Sequence, residues 1–188
     1  MVNDAGPRCL ACGSRDLEHW AQAHDVEYHS VPDTFSYLRC KSCQTLSIHP
    51  VPTSRLREIY PPNYYSFQGT GRSLADRVKQ ALDRRFFRGL LRRVPGQPLA
   101  ALDVGGGAGH QLSVLRAADP RVTRTTVVDF DAGAESLAQR AGHGFISGRI
   151  EDARISDRYD VALLLNLIEH VAEPLAVLRR VHNDAQAI

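Results

Sequence analysis

The sequence lacks a long apolar run. Its longest, Val161 to Leu165, spans five residues, far short of the roughly 20 that a membrane-crossing helix needs. The first seven residues, Met-Val-Asn-Asp-Ala-Gly-Pro, have no basic start and no apolar core. That is not the pattern of a secretory signal, and a cytoplasmic location is the expectation. No repeat at solenoid periods and no low-complexity tract is visible, which excludes repeat arrays and biased linkers. Cysteine is absent after residue 43, and the net charge is only +2. What remains is ordinary: 188 residues, 43% hydrophobic and 23% charged, the proportions of a soluble globular chain and not of a disordered one.

The small net charge conceals three regimes. Residues 1–50 carry 4 basic and 6 acidic side chains, residues 51–98 carry 10 and 3, and residues 99–188 carry 9 and 12. His49-Pro50-Val51-Pro52 and Pro95-Gly96-Gln97-Pro98 punctuate the two boundaries, as turns or linkers would. Three segments with these bounds are therefore expected.

All four cysteines lie in the first segment, as Cys9-x-x-Cys12 and Cys40-x-x-Cys43 with 27 residues between the pairs. A C-x-x-C turn offers two thiolates to one metal from one tight loop, and two such loops complete a tetrahedral shell. The gap exceeds the roughly 15–20 residues of the simplest pattern and leaves room for a hairpin. Disulfides do not suit a chain without a secretory signal, and no βαβ pattern surrounds the pairs as a redox motif would require. The expectation is a structural zinc ribbon, with Cys9, Cys12, Cys40 and Cys43 as ligands and no open position for catalysis.

Residues 73–94 read as a basic amphipathic helix. Leu74, Val78, Ala81, Leu82, Phe86, Gly89 and Leu90 recur at helical spacing, interleaved with Arg77, Arg84, Arg85, Arg88, Arg92 and Arg93. The plain expectation is a packed apolar face and a solvated basic one; membrane-surface or nucleic-acid binding are the alternatives. Upstream, Tyr60, Tyr64, Tyr65 and Phe67 stand in a proline-punctuated stretch that suits either a pocket cover or a hydrophobic plug.

The third segment opens with Leu99-Ala100-Ala101-Leu102-Asp103-Val104, then Gly105-Gly106-Gly107-Ala108-Gly109, then a helical stretch from His110. Strand, glycine turn and helix are either the opening of a nucleotide-binding βαβ unit, in which the helix N-terminus faces an anion, or a bare structural turn. A second strand, Thr125–Val128, ends at Asp129, 24 residues after Gly105. A carboxylate there suits ribose hydroxyls, or else caps a following helix, Ala132 to Arg140. The dinucleotide fingerprint G-x-G-x-x-G fails, because the sixth position is His110.

The pattern present, Asp103-x-Gly105-x-Gly107-x-Gly109, resembles motif I of the class I S-adenosylmethionine-dependent methyltransferases. Asp129 matches the acid after their second strand, Gly144–Asp152 their third strand and adenine loop, and Tyr159–Val171 their fourth strand with the Glu-His-Val that follows. The cysteine pairs and the proline-tyrosine stretch ahead of motif I resemble a narrower group, zinc-binding methyltransferases that include deoxysugar C-methyltransferases. The resemblance implies an α/β Rossmann-like sheet with an N-terminal zinc ribbon. It implies donor contacts from Asp103, Gly105, Gly107, Gly109, Asp129, Ile150 and Glu151. It also implies an acceptor site lined by Tyr64 or Tyr65, Glu169 and His170. Arg149 stands where the family often has an acid near the adenine.

Methyl transfer from a sulfonium is an in-line displacement that needs positioning and a proton acceptor. His170 is the candidate base, with Glu169 beside it and Tyr65 over the site. The family's sheet runs 3-2-1-4-5-7-6. Only four strand candidates follow Pro98, so the expectation is a half-sheet in order 3-2-1-4 with strands five to seven missing. Such a truncated form would lack part of its acceptor site, and strand four would offer an uncovered edge to a partner chain or oligomer. The expected partner is otherwise a small-molecule acceptor. The alternatives are a non-catalytic zinc and cofactor-binding module that needs a partner, and a zinc-containing nucleic-acid-binding protein. The acidic 99–188 segment weighs against the last.

Overall fold

The computed structural model describes residues 6–26, 29–55, 59 and 74–184. Tyr64 and Tyr65, expected at the acceptor site, lie outside these described residues. The chain divides into two compact units, residues 1–68 with 172–175 and residues 69–171 with 176–188.

The first unit is an antiparallel sheet in order β1-β2-β3, formed by β1 (Leu17–His24), β2 (Thr34–Cys40) and β3 (Leu46–His49). The long gap between the cysteine pairs is thus spent on a hairpin, in which Leu17 faces Cys40 and His24 faces Thr34. The pairing shifts by one residue between His19 and Ala21, so Trp20 is the extra residue of a bulge. Its only buried apolar residues among those described are Cys9, Val31 and Cys40. Three such side chains bury too little surface to offset the entropy of ordering the strands.

The second unit is built from α1 (Leu74–Leu91), β4 (Leu99–Val104), α2 (His110–Ala118), β5 (Val122–Asp129), α3 (Ala132–Arg140), β6 (Gly144–Ser147), β7 (Val161–Leu163) and α4 (Pro174–Asp184). All four strands run parallel, in order β6-β5-β4-β7. Numbered along this unit, that is the expected order 3-2-1-4. The expectation that strands five to seven are missing is not borne out: the described residues hold seven strands, four here and three in the first unit. The count after Pro98 holds at four; the three further strands precede it, where half-exposed, polar side chains carry little apolar signal.

Strand β4 shows why the sheet is central. Every residue in it is buried. Leu99 and Ala101 pack with Leu112, Leu115 and Val127, while Ala100, Leu102 and Val104 pack with Val128, Tyr159, Val177 and Val181. Alternate side chains therefore enter two cores, one on each face, which is what a parallel strand covered by helices requires. Each fully buried leucine contributes about 1.5–3 kcal/mol.

Helix α1 corrects the expected packing. Phe87 and Leu91 are the buried side chains, at 3% and 0% exposure, and they join the first core. The stripe expected to pack is exposed: Val78 at 55%, Leu82 and Phe86 at 62%, Leu90 at 37%. This helix is apolar on opposite faces, and periodicity cannot say which face meets the sheet. Arg121 helps fix its end, donating from one terminal nitrogen to the Leu91 carbonyl at 2.8 Å and from the other to that of Val94 at 3.0 Å. No helix among the described residues is long and apolar enough to cross a membrane.

Candidate functional site

The first site is the cysteine cluster. Each C-x-x-C turn folds the same way. The Cys9 N–H donates to the Ser14 carbonyl and the Gly13 N–H to the Cys9 carbonyl; the Cys40 N–H donates to the Thr45 carbonyl and the Gln44 N–H to the Cys40 carbonyl. Both turns require a left-handed residue after the second cysteine, Gly13 at φ 74° and Gln44 at φ 65°. Glycine adopts this freely, glutamine only where the fold enforces it.

The four sulfurs lie within 4.8 Å of one another, with Cys9 to Cys43 at 3.5 Å and Cys12 to Cys40 at 3.6 Å. A zinc ion bound at about 2.3 Å by each sulfur sets them about 3.8 Å apart, so the donor set fits a closed tetrahedral site. No disulfide joins them. The Thr45 hydroxyl and backbone pull the Cys43 thiol down to about 6. Cys12 rises to about 12: the Ser14 backbone opposes this, but Cys43, burial and the other sulfurs outweigh it. One thiolate makes the next harder to form, and a dication reverses that repulsion.

The second site is the bend after Val104. The Gly105 N–H donates to the Val128 carbonyl at 2.8 Å, which continues the β4–β5 ladder into the bend. Gly105, Gly107 and Gly109 then take φ of 72°, 52° and 76°. Three neighbours explain three glycines. A Cβ on Gly105 would lie 3.0 Å from the Leu167 side chain, one on Gly106 2.5 Å from the Asp103 carboxyl, and one on Gly109 2.5 Å from the His143 ring. A Cβ on Gly107 would meet nothing within 4 Å. The bend is therefore braced at three points and open at Gly107.

Asp129 meets the bend at that open point. One carboxylate oxygen accepts the Gly107 N–H at 2.8 Å, and the other accepts the Asp131 N–H at 2.9 Å. The helix-capping role open to Asp129 falls instead to Asp131, which accepts the Gly133 N–H at the start of α3. Asp103, 3% exposed, lies beneath Gly106. Burial pushes its carboxyl up to about 7, and the charge of Asp129 pushes the same way. Helix α2 begins at His110 after Gly109, and no side chain caps its first N–H groups.

Asp103, Gly105, Gly107, Gly109 and Asp129 thus come together. Glu169 and His170 follow closely on Leu167, whose side chain meets Gly105. They form a short 3-10 turn, both exposed, and the His170 N–H donates to the Leu167 carbonyl at 2.8 Å. The side chain of Ile150 is only 4% exposed and belongs to the second core with Val128, which leaves its backbone to contact a ligand. The Glu151 carboxylate is paired with Arg149 at 2.7 Å.

Sequence reasoning missed His143. It is 4% exposed, and its two ring nitrogens sit 2.7 Å from the Thr125 hydroxyl and 2.9 Å from the Ser113 hydroxyl. Between Gly142 and Gly144 it reads as part of a turn, and its hydroxyl partners are 18 and 30 residues away in sequence.

A parallel α/β sheet with a glycine bend, an acid at the tip of the next strand and an uncapped helix start defines a Rossmann-like ligand-binding domain. Residues 73–184 match the family model described as a methyltransferase domain, and the chain belongs to that family. Solved structures are similar at low identity. The plantazolicin methyltransferase BpumL, in complex with SAH, is 20% identical with a TM-score of 0.47 over 57% of this chain and 43% of that one. The sugar N-methyltransferase KedS8 from Streptoalloteichus sp ATCC 53650 is 18% identical, at 0.48 over 63% and 52%. CalS10, an amino pentose methyltransferase from Micromonospora echinaspora, is 15% identical, at 0.49 over 63% and 54%. The chain thus spans about half the length of these structural neighbours. No curated protein matches it.

Proposed function

We propose that the chain is an S-adenosylmethionine-dependent methyltransferase of the cytoplasm, acting on a small, sugar-like acceptor, with structural zinc held by Cys9, Cys12, Cys40 and Cys43. The observation that carries this reading is the 2.8 Å bond from the Gly107 N–H to Asp129. It joins the acid of β5 to the open part of the glycine bend, in a chain of the methyltransferase-domain family.

The residues present suit the donor. The uncapped N–H groups at the start of α2 can donate to a carboxylate. Each Asp129 oxygen takes one backbone bond and keeps a lone pair for a ribose diol. The backbone at Ile150 and Glu151 would hold the adenine. When bound, S-adenosylmethionine supplies a methyl group on a cationic sulfur. The exposed His170 takes the acceptor's proton, with Glu169 beside it. Four thiolates close the zinc shell, so the metal holds structure and takes no part in the transfer.

Calorimetry of the purified chain with S-adenosylmethionine, S-adenosylhomocysteine and NAD tests the reading. Both sulfur ligands should bind to the wild type and only weakly to Asp129→Asn, and NAD should not bind. Binding of NAD without the sulfonium overturns it. A second reading, a cofactor-binding module that works with a partner chain, is favoured by the outer edge of β7. No described strand pairs there, and Leu165 is 47% exposed. Donor binding without turnover on any sugar-like acceptor until a partner is added would select it.

A further inference from the structure

The turn between α3 and β6 holds groups that neither the donor nor the acceptor reading uses. It is fastened to helix α2 at three points. The two terminal nitrogens of Arg116 donate to the Ala141 carbonyl at 2.7 Å and the Gly142 carbonyl at 3.2 Å. His143 Nε2 lies 2.9 Å from the Ser113 hydroxyl. A fourth link, from His143 Nδ1 to the Thr125 hydroxyl at 2.7 Å, ties the same ring to strand β5. The imidazole therefore bridges the strand that ends in Asp129 and the helix that begins at the glycine bend.

Its ring edge also faces the bend. Cδ2 lies 2.5 Å from where a Gly109 Cβ would stand. Gly109 is the left-handed residue at which the bend turns into α2, and its carbonyl accepts the Ser113 N–H at 3.0 Å. Ser113 thus holds Gly109 by its backbone and His143 by its side chain. Strand β6, which begins at the residue after His143, is already paired with β5, so it is the Ser113 bond that ties this turn to α2 and fixes how far the last glycine and the first N–H groups of α2 stand from β5.

We infer that His143 is a positioning residue for donor binding, a brace that fixes the glycine bend and the start of α2 against β5 before any ligand arrives. A preorganised bend avoids the ordering cost that a loose one meets at binding. Burial, and then the charge of Arg116, holds the ring below the usual histidine range, against a smaller upward pull from the Gly109 backbone. The brace is accordingly a neutral imidazole at neutral pH.

This inference rests on the proposed donor site, and its test separates the two. His143→Gln keeps a polar atom near the Nε2 position, toward Ser113; His143→Asn keeps one near Nδ1, toward Thr125 only. Donor affinity is measured by calorimetry with S-adenosylhomocysteine, and amide exchange of residues 109–113 by NMR in the free protein, with thermal unfolding recorded for each variant. The expected result is H143Q within about twofold of wild type and H143N weaker by about fivefold, the equivalent of one ordinary hydrogen bond. Exchange at 109–113 should quicken in H143N and not in H143Q, even where the two unfold at the same temperature. Equal affinities and equal exchange in the two variants, whether both match the wild type or both fall below it, overturn the inference and leave His143 a packing residue. If the wild type binds no donor, the donor reading fails, and exchange alone decides the brace: faster in H143N supports it, equal in both overturns it.

Discussion

The two units solve the problem of stability by opposite means. The first has three antiparallel strands, half-exposed side chains and a buried apolar set of Cys9, Val31 and Cys40. The second has a parallel sheet whose central strand is buried throughout and feeds a core on each face. A hydrophobic core grows with the surface it can hide, and a short hairpin sheet hides little. Two of the three buried apolar residues described in the first unit are also residues whose sulfurs gather around one point. The lesson is that in the N-terminal unit a cluster of groups able to hold a metal stands where leucine and valine packing stands in the other.

Removing the metal should break the comparison most sharply. Structural zinc supplies about 10–16 kcal/mol to small domains that depend on it. A strong chelator, or Cys40→Ser, is expected to unfold the first unit while the second keeps its cooperative transition. The single tryptophan, Trp20, lies in β1. Its fluorescence therefore reports the first unit alone, and far-ultraviolet dichroism reports the helices of the second. Simultaneous loss of both signals would show that the second unit has no independent core. Next in size, Leu115→Ala in the second core should cost about 2–5 kcal/mol by denaturant titration and leave the tryptophan signal's midpoint unchanged.

Asp103 sharpens the comparison from inside the larger core. Its carboxyl is raised to about 7 by burial and by Asp129, so between about 4 and 7 the folded chain holds a proton that the unfolded chain releases. The stabilisation from this group is complete below that window and is lost as the pH rises through about 7, with a slope of at most about 1.4 kcal/mol per pH unit. Asp103→Asn should flatten the slope of unfolding free energy against pH over that window; an unchanged slope would show that the carboxyl ionises freely in the fold. The smallest effect belongs to the first unit. Glu18 is held below the usual carboxylate range by the Arg39 guanidinium, which donates through Nε at 2.8 Å across the β1–β2 pair. Both partners are half-exposed at the surface of the sheet, so Glu18→Gln should cost less than about 1 kcal/mol, and less again in high salt.

Much of the second unit was legible in order. The glycine bend, the acid closing β5, helix α3 at Ala132–Arg140 and the apolar run of β7 all carry local signals, because turn chemistry and apolar runs act over a few residues. Helix α1 shows the limit. Its periodic stripe Val78-Leu82-Phe86-Leu90 was legible and is exposed, whereas the sheet took Phe87 and Leu91. Both faces offer apolar surface, and the choice between them depends on the shape of the partner surface. His143 shows a different limit, since its partners Thr125 and Ser113 are neighbours only after β5, β6 and α2 have assembled.

The sequence by itself determined which residues can ligate a metal, where the chain must reverse through glycine, and that a parallel sheet follows Pro98, since each depends on side-chain chemistry or backbone freedom at a few adjacent positions. Only the tertiary structure decided that Asp129 would bond Gly107, that Asp103 would lie buried beneath Gly106, and that a histidine from a distant turn would press against Gly109. Those contacts exist because strands far apart in sequence pair side by side, and close packing then leaves room at Gly105, Gly106 and Gly109 for hydrogen atoms and for no larger side chain.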